Sequence, residues 1–183
     1  MASLLKRLFF STSSSARELY RSIVEQSRRP EFFVEYGVPD TPTGRFEVLV
    51  LHLFIVMYCM REEDGLEELA RSLSEETILD FDRNMREMGI GDLSVGRKVK
   101  SLAEGMYGRF GAYTDGLQNG DVALSEALRR NLFSETTTSE EVVAAIVMYV
   151  KKETLAFKDK PASIWQDGHV DFGSPIRNKG NDL

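Results

Sequence analysis

The 183-residue chain has very few of the residues from which disulfides and zinc sites are built. It contains one cysteine, Cys59, and two histidines, His52 and His169. A single cysteine excludes an intramolecular disulfide, which favours a reducing compartment such as a bacterial cytosol or a mitochondrial matrix. No H-E-x-x-H motif is present, and one cysteine cannot supply a zinc site. The sequence therefore predicts no metal and no other cofactor.

A surplus of positive charge is also missing. The chain carries 23 Lys and Arg residues against 29 Asp and Glu residues, so its formal net charge is −6. Non-specific binding to duplex nucleic acid depends on the opposite balance. We therefore expect no DNA partner, although a local basic patch is compatible with this composition.

No apolar run reaches the length of a membrane span. The longest run, from Val48 to Met60, includes His52 and is shorter than the roughly 20 residues that a span needs. Residues 45–60 are apolar on every side, which favours a helix in the centre of a bundle. On that interpretation His52 is a hydrogen-bonded core residue and Cys59 is a packed thiol with no sign of activation.

Nucleotide-binding glycine motifs are incomplete in the one stretch that resembles them, DRNMREMGIGDLSVGRKVK at 82–100. A P-loop requires G-x-x-x-x-G-K-[ST], whereas GDLSVGRK has arginine in the lysine position and lysine in the hydroxyl position. The dinucleotide fingerprint also fails, because the glycine spacing is wrong and a helical pattern precedes it. No G-x-S-x-G motif occurs elsewhere. We predict a turn between two helices here, and a protein that is not an enzyme.

Helical punctuation dominates the rest of the chain. Residues suited to helix starts recur at Ser15, Ser74, Ser94, Asp121 and Thr138. Gly89 follows an apolar stripe and suits the left-handed position just after a helix. With no convincing strand pair, the sequence predicts an all-α fold, a single compact bundle of about seven or eight helices.

Three segments are expected along the chain. Residues 1–14 are basic and amphipathic and form a flexible foot, for which a transit peptide, a membrane-surface segment and a frayed tail all stay open. Residues 15–166 form the helical domain. Residues 167–183 are polar and glycine-containing and form a loose tail.

Two groups of residues are candidates for contact with a partner. The first is a line of small residues along one predicted helix: Ser101, Gly105, Gly108 and Ala112. Glycine costs about 1 kcal/mol against alanine inside a helix, so such a line favours a second helix crossing closely, either from the same chain or from a partner. The second is a charged cluster around the predicted turn: Arg83, Arg86, Asp92, Arg97, Lys98 and Lys100. Its open alternatives are a partner protein, anionic lipid headgroups, ribosomal RNA and plain solvation.

Four stretches in order along the chain resemble the ubiquinol–cytochrome c chaperone family. They are GVPDTPTGRFEVLVLH at 37–52, DFDRNMREMGIGDLSVGRKVK at 80–100, MYGRFGAY at 106–113 and ALRRNLF at 127–133. The resemblance covers roughly residues 19–165. It extends to the mitochondrial factors that assist cytochrome b assembly and translation.

The resemblance implies a helical, non-enzymatic chaperone that handles newly made cytochrome b during assembly of respiratory complex III. It implies nascent cytochrome b as client, and as further partners a small helical co-chaperone, the ribosome exit region and the inner-membrane surface. A bacterial cytoplasmic protein peripheral to the inner membrane is the expected location, with the mitochondrial matrix as the alternative. Two other functions stay open: a helical enzyme or carrier for lipid or quinone, and a structural adaptor that never contacts cytochrome b.

Overall fold

The structure, a computed structural model, describes residues 2–161 and 163–175, with side chains from residue 14 onwards. Eight helices and no strand occupy this part of the chain. They are α1 (Ala2–Ser27), α2 (Pro30–Val34), α3 (Pro42–Met60), α4 (Glu67–Glu87), α5 (Asp92–Asn119), α6 (Asp121–Leu132), α7 (Glu140–Lys158) and α8 (Ser163–Asp167). The prediction of an all-α bundle of seven or eight helices is confirmed.

Helix α3 is the centre of the bundle, in contact with α1, α4, α5, α6 and α7. It begins where the Thr41 hydroxyl accepts the Gly44 N–H at 3.1 Å, with Pro42 in the first turn. Residues 50–56 are all buried. Among the described helices α3 is the one long and apolar enough to span a membrane, yet 67% of that window is buried inside the bundle. The prediction of a core helix at 45–60 is thereby confirmed.

Helices α1 and α4 run in the same direction. The Tyr20 hydroxyl of α1 donates to Asp80 of α4 at 2.7 Å, and Arg17 lies 3.8 Å from Glu76. Because the residue numbers rise together along both helices, their C-terminal ends lie side by side. Helix α5 then starts at that end and runs back along α4, so this end of the bundle also holds the turn between them.

That turn has the hydrogen bonds of a Schellman motif. Gly89 adopts a φ of 80° and donates its N–H to the Arg86 carbonyl at 2.9 Å. The next residue, Ile90, donates to the Met85 carbonyl at 3.0 Å. Both bonds satisfy carbonyls at the helix end that would otherwise lack partners. The prediction for Gly89 is confirmed.

Three of the predicted helix starts are wrong. Ser15, Ser74 and Ser94 all lie inside longer helices, and the first two donate their hydroxyls to backbone carbonyls at 2.6 Å and 3.0 Å. A serine can act as an N-cap only at the residue that precedes the first helical turn. Here tertiary packing extends each helix past its serine, so the serine lies within a helical turn. The start of α7 was predicted more closely, since the capping residue is Ser139 rather than Thr138.

Residues 168–175 pack against the bundle, which corrects the prediction of a loose tail for this part of 167–183. Val170 is 3% exposed, and the Phe172 ring lies 5.1 Å from that of His52. The Gln26 side chain donates to the Gly173 carbonyl at 3.1 Å. These two apolar side chains complete the core, which outweighs the polar composition around them. Residues 176–183 lie outside the described residues, as do the side chains of most of the predicted foot, 1–14, whose backbone begins α1 at Ala2.

Candidate functional site

A groove of about 630 Å³ opens where α1 ends, α3 begins and α4 ends, and the middle of α5 completes its lining. Apolar side chains from all four helices line it: Val24, Pro42, Phe46, Leu49, Phe81, Met85, Met88 and Leu102. Cavities of 300–1,000 Å³ are typical of ligand sites in proteins. A groove of this volume accommodates a small ligand or a few apolar side chains of a partner, but not a whole helix.

An ion pair between Glu47 and Arg109 joins α3 to α5 in the groove wall. Glu47 is 1% exposed and accepts from two nitrogens of Arg109, with Nε at 2.6 Å from Oε2. A third nitrogen of Arg109 donates to the Gly105 carbonyl at 3.0 Å, and the guanidinium lies 5.4 Å from the centre of the Phe46 ring. The hydrogen bond to Glu47 raises the pKa of Arg109 further above its ordinary value. A buried carboxylate is tolerated here because a bidentate cation compensates its charge.

A second polar group, centred on Asp80 of α4, also lines the groove. Its carboxylate accepts from the Tyr20 hydroxyl at 2.7 Å and from the Asn84 amide at 2.7 Å, while Arg83 lies 3.5 Å away. Burial, followed by the hydrogen bond to Asp80, raises the pKa of Tyr20 well above its ordinary value. Tyr20 therefore stays a neutral donor that ties α1 to α4 at the groove's edge.

The line of small residues on α5 is not an internal helix crossing. A Cβ on Gly108 would meet no atom within 4 Å, and one on Gly105 would meet only the end of the Arg109 side chain, at 3.2 Å. Of the two alternatives, a closely crossing helix of the same chain is therefore excluded at Gly105 and Gly108. Ser101 and Gly105 border the groove, and Gly108 and Ala112 do not. The close approach on α5 is at Gly116, where a Cβ would lie 2.8 Å from the Leu124 Cα of α6.

The charged cluster divides into tethered and untethered residues. Arg86 is held by Asp82 at 2.6 Å and by Asp92, and Lys100 lies 3.7 Å from Glu104. Arg97 and Lys98 are exposed and take part in no ion pair within the described part of the chain. These two cations are thus the ones left available to an anionic partner.

Sequence reasoning named two residues that border the groove, Ser101 and Gly105, but missed its apolar lining and its ion pair. The signal was present: Glu47 is the one acid in the apolar stretch that became α3, and Arg109 is the one base in MYGRFGAY. A charge in such a stretch needs a counter-charge when it is buried. Which base supplies it depends on how α3 and α5 meet, and this was not readable from either helix alone.

The residues expected to be inert are placed in the core. His52 is fully buried, and the Cys59 thiol is buried beside the Thr154 carbonyl. Burial raises the pKa of Cys59 to about 12, so the reactive thiolate is disfavoured. Within residues 2–161 and 163–175, no group of three His, Cys, Asp or Glu residues is arranged to hold a metal ion.

Residues 34–164 match the profile of the protein family described as ubiquinol-cytochrome C chaperone. The chain belongs to this family. Most of the groove lies inside the matched range, and only the residues from α1 precede it. Membership of the ubiquinol–cytochrome c chaperone family confirms the resemblance seen in the sequence.

Curated relatives carry the corresponding name. Ubiquinol-cytochrome-c reductase complex assembly factor 1 of Xenopus laevis is 26% identical over 140 residues, which is 76% of this chain and 70% of that protein. The Homo sapiens protein of the same name is 24% identical over 140 residues, again 76% of this chain but 47% of its own length. The chain thus spans about half the length of the human relative.

A solved structure shares the architecture. The crystal structure of the Cbp3 homolog from Brucella abortus superposes with a TM-score of 0.83 at 31% identity, over 95% of this chain and 97% of that one. Fold and sequence therefore agree on a chaperone family linked to assembly of ubiquinol–cytochrome c reductase.

Proposed function

We propose that this protein binds newly made cytochrome b and shields it until the subunit enters ubiquinol–cytochrome c reductase. The client is held in the groove between α1, α3, α4 and α5 by non-covalent contacts, with no ATP and no catalysed reaction. The observation that carries this proposal is an open apolar groove in a chain of the chaperone family.

The lining of the groove suits a client of varied sequence. Phe46 and Phe81 supply broad apolar faces, while Met85 and Met88 supply unbranched, polarisable side chains that adapt to different shapes. Burying one large apolar side chain contributes roughly 1.5–3 kcal/mol. Two or three client side chains in the groove therefore contribute roughly 3–9 kcal/mol before the cost of association, which leaves an interaction in the millimolar range or weaker. Binding of that strength is reversible, as a chaperone that must release its client requires.

The proposed location is the cytoplasmic side of a bacterial inner membrane. The bacterial relative from Brucella abortus covers almost the whole chain, which supports this location over the mitochondrial matrix. Cytochrome b is the proposed client. A small helical co-chaperone and the ribosome exit region are proposed partners that rest on family membership rather than on a particular surface.

Two glycines on one face of α5 provide a matched test. Gly105→Leu places a side chain at the groove, where only the flexible end of Arg109 must move, whereas Gly108→Leu places the same side chain in open space. Both changes remove a helix glycine, which favours the helix, but the end of Arg109 that must move at Gly105 is the one paired with Glu47. Gly108→Leu should therefore melt at or above the wild-type temperature and Gly105→Leu below it, so binding is measured at a temperature where both proteins are folded. We expect Gly105→Leu to lose most co-purification of cytochrome b, and Gly108→Leu to retain it.

The cellular readout is haem b content and the level of assembled complex III in a deletion strain that expresses each variant. Rescue by Gly108→Leu and not by Gly105→Leu supports the groove as the client site. Equal rescue by both variants would move the client to another surface. Normal complex III in the deletion strain itself, or a stoichiometric lipid or quinone retained by the purified protein in native mass spectrometry, would contradict the proposed function.

A further inference from the structure

The turn between α4 and α5 exposes apolar side chains at the end of the bundle. Leu93 is 96% exposed, more than any other large apolar side chain in the described chain, and Met88 is 60% exposed. We call Met88, Leu93, Arg97 and Lys98 the α4–α5 tip. All four residues lie on the turn or in the first two turns of α5.

Two unpaired cations lie close in sequence to these apolar side chains. Of the five basic residues in 83–100, Arg83, Arg86 and Lys100 are paired with acidic residues, and the chain as a whole carries a charge of −6. Arg97 and Lys98 form no ion pair among the described residues. The tip is thus a cationic, apolar site on an otherwise acidic protein, and its charge complements an anionic surface.

The backbone of the tip is fixed before any partner arrives. The Schellman hydrogen bonds hold Gly89 and Ile90, and Arg86 joins the end of α4 to Asp92 at the start of α5. Leu93 follows Asp92 directly. A preorganised turn loses little conformational entropy on docking, which favours binding by a small number of side chains.

This combination points to lipid rather than to RNA or a protein groove. Phosphates of RNA would form ion pairs with Arg97 and Lys98 but would not bury an exposed leucine. A bilayer surface interacts with both kinds of side chain, because anionic headgroups attract the cations and the acyl boundary accepts apolar side chains. We propose that the α4–α5 tip docks on an anionic lipid surface, with Leu93 and Met88 entering the headgroup boundary and Arg97 and Lys98 contacting phosphate groups.

The placement of Met88 links the tip to the groove, since this residue belongs to both. Docking by the tip would bring the mouth of the groove to the membrane surface. The lipid contact itself is independent of what the groove holds. Loading of a membrane-protein client at that surface rests on the proposed function.

The test uses full-length protein and flotation with vesicles of phosphatidylcholine, alone or mixed with phosphatidylglycerol. The wild-type protein should bind the mixed vesicles and release them as salt is raised. Replacing both cations, Arg97→Gln with Lys98→Gln, should lower the partition coefficient roughly 30-fold, at about fivefold for each basic residue. Leu93→Glu should also abolish most binding, and it should fold normally because the site is exposed and an acid near a helix start is favourable.

The matched control is Leu155→Glu, the same change at an exposed leucine near the end of α7. The Lys158–Glu62 ion pair at 2.6 Å sets that end beside the end of α3, one helix length from the groove. We expect wild-type vesicle binding from this control. Wild-type binding by Leu93→Glu, or loss of ribosome co-sedimentation without loss of vesicle binding in the Arg97/Lys98 variant, would overturn the proposal. The second result would assign the cations to RNA.

Discussion

Glu47 and His52 lie five residues apart on α3, about 140° apart around the helix axis, and their surroundings differ. Glu47 faces α5, where its partner Arg109 retains 25% of its side-chain exposure and borders the groove. His52 faces α7 and the packed segment 168–175, in a site sealed from water. One side of the central helix is open at its edge, and the other is closed.

The closed side satisfies its polar groups within the protein. His52 Nδ1 lies 2.7 Å from the Val48 carbonyl, which can only accept, so this nitrogen carries the proton. Nε2 therefore accepts from the Tyr149 hydroxyl at 2.9 Å, and that oxygen accepts from Gln26 at 2.9 Å. Such a network specifies one arrangement of α1, α3 and α7. The polar network on the closed side thus fixes the helices that position the open side, where the groove lies.

The largest expected effect comes from breaking the ion pair on the open side. Arg109→Met leaves the Glu47 carboxylate buried without a counter-charge, and should lower the free energy of unfolding by about 3 kcal/mol. This is the low end for a broken buried pair, because Arg109 is partly exposed. Urea unfolding at neutral pH measures it. The double variant Glu47→Gln/Arg109→Met should recover more than half of the loss, and a double variant no more stable than the single one would show that the pair is unimportant.

The next effect tests the closed side through pH. Burial lowers the pKa of His52 to about 4, against an ordinary value of 6.5. Between these two pKa values the unfolded chain binds a proton at His52 that the folded chain does not. The contribution of neutral His52 to the free energy of unfolding is therefore full above pH 6.5 and is lost as pH falls towards 4. Between about pH 7.5 and about pH 5 the loss should be about 2 kcal/mol.

Urea midpoints across that range measure the pH effect, and His52→Gln is the control because glutamine does not titrate. The variant should be less stable at neutral pH, because it loses the fit of His52 to Val48 and Tyr149, but its stability should depend less steeply on pH than that of the wild-type protein. Parallel pH profiles for the two proteins would show that His52 is not the group responsible.

The smallest effect compares two glycines on α5. Gly108→Ala enters open space and should raise the free energy of unfolding by up to about 1 kcal/mol, through helix propensity. Gly116→Ala places a Cβ 2.8 Å from the Leu124 Cα and should lower it by about 1 kcal/mol or more, because α6 must move. Thermal unfolding of both variants checks the opposite signs. Equal shifts of the melting temperature in the two variants would mean that α6 packs less closely on α5 than the structure shows.

Features carried by a single helix were predictable from the sequence. The apolar stretch 45–60 is surrounded by other helices, and the stripe on α5 that includes Val95, Met106 and Tyr113 is buried. The left-handed conformation of Gly89 depends only on the backbone at the end of α4. In each case a periodicity or a single dihedral angle carries the information, and tertiary packing agrees with it.

Features that depend on what lies opposite were not predictable. The small-residue line from Ser101 to Ala112 indicates a bare helix face but not whether another helix covers it. The groove requires the relative positions of four helices, and the Glu47–Arg109 pair joins residues 62 positions apart. Val170 and Phe172 were a weak signal that the segment after α8 packs, since two isolated apolar residues in a polar stretch have little periodicity to read.

The segment 168–175 sets the order in which the molecule can be completed during synthesis. Gly173 bonds through its carbonyl to Gln26 and through its N–H to Glu153, so it joins α1 to α7 across most of the chain's length. In a growing polypeptide that has not yet released residue 173, the ring contact between Phe172 and His52 is still missing. Full rigidity of the closed side is therefore reached only after every helix of the groove has been synthesised.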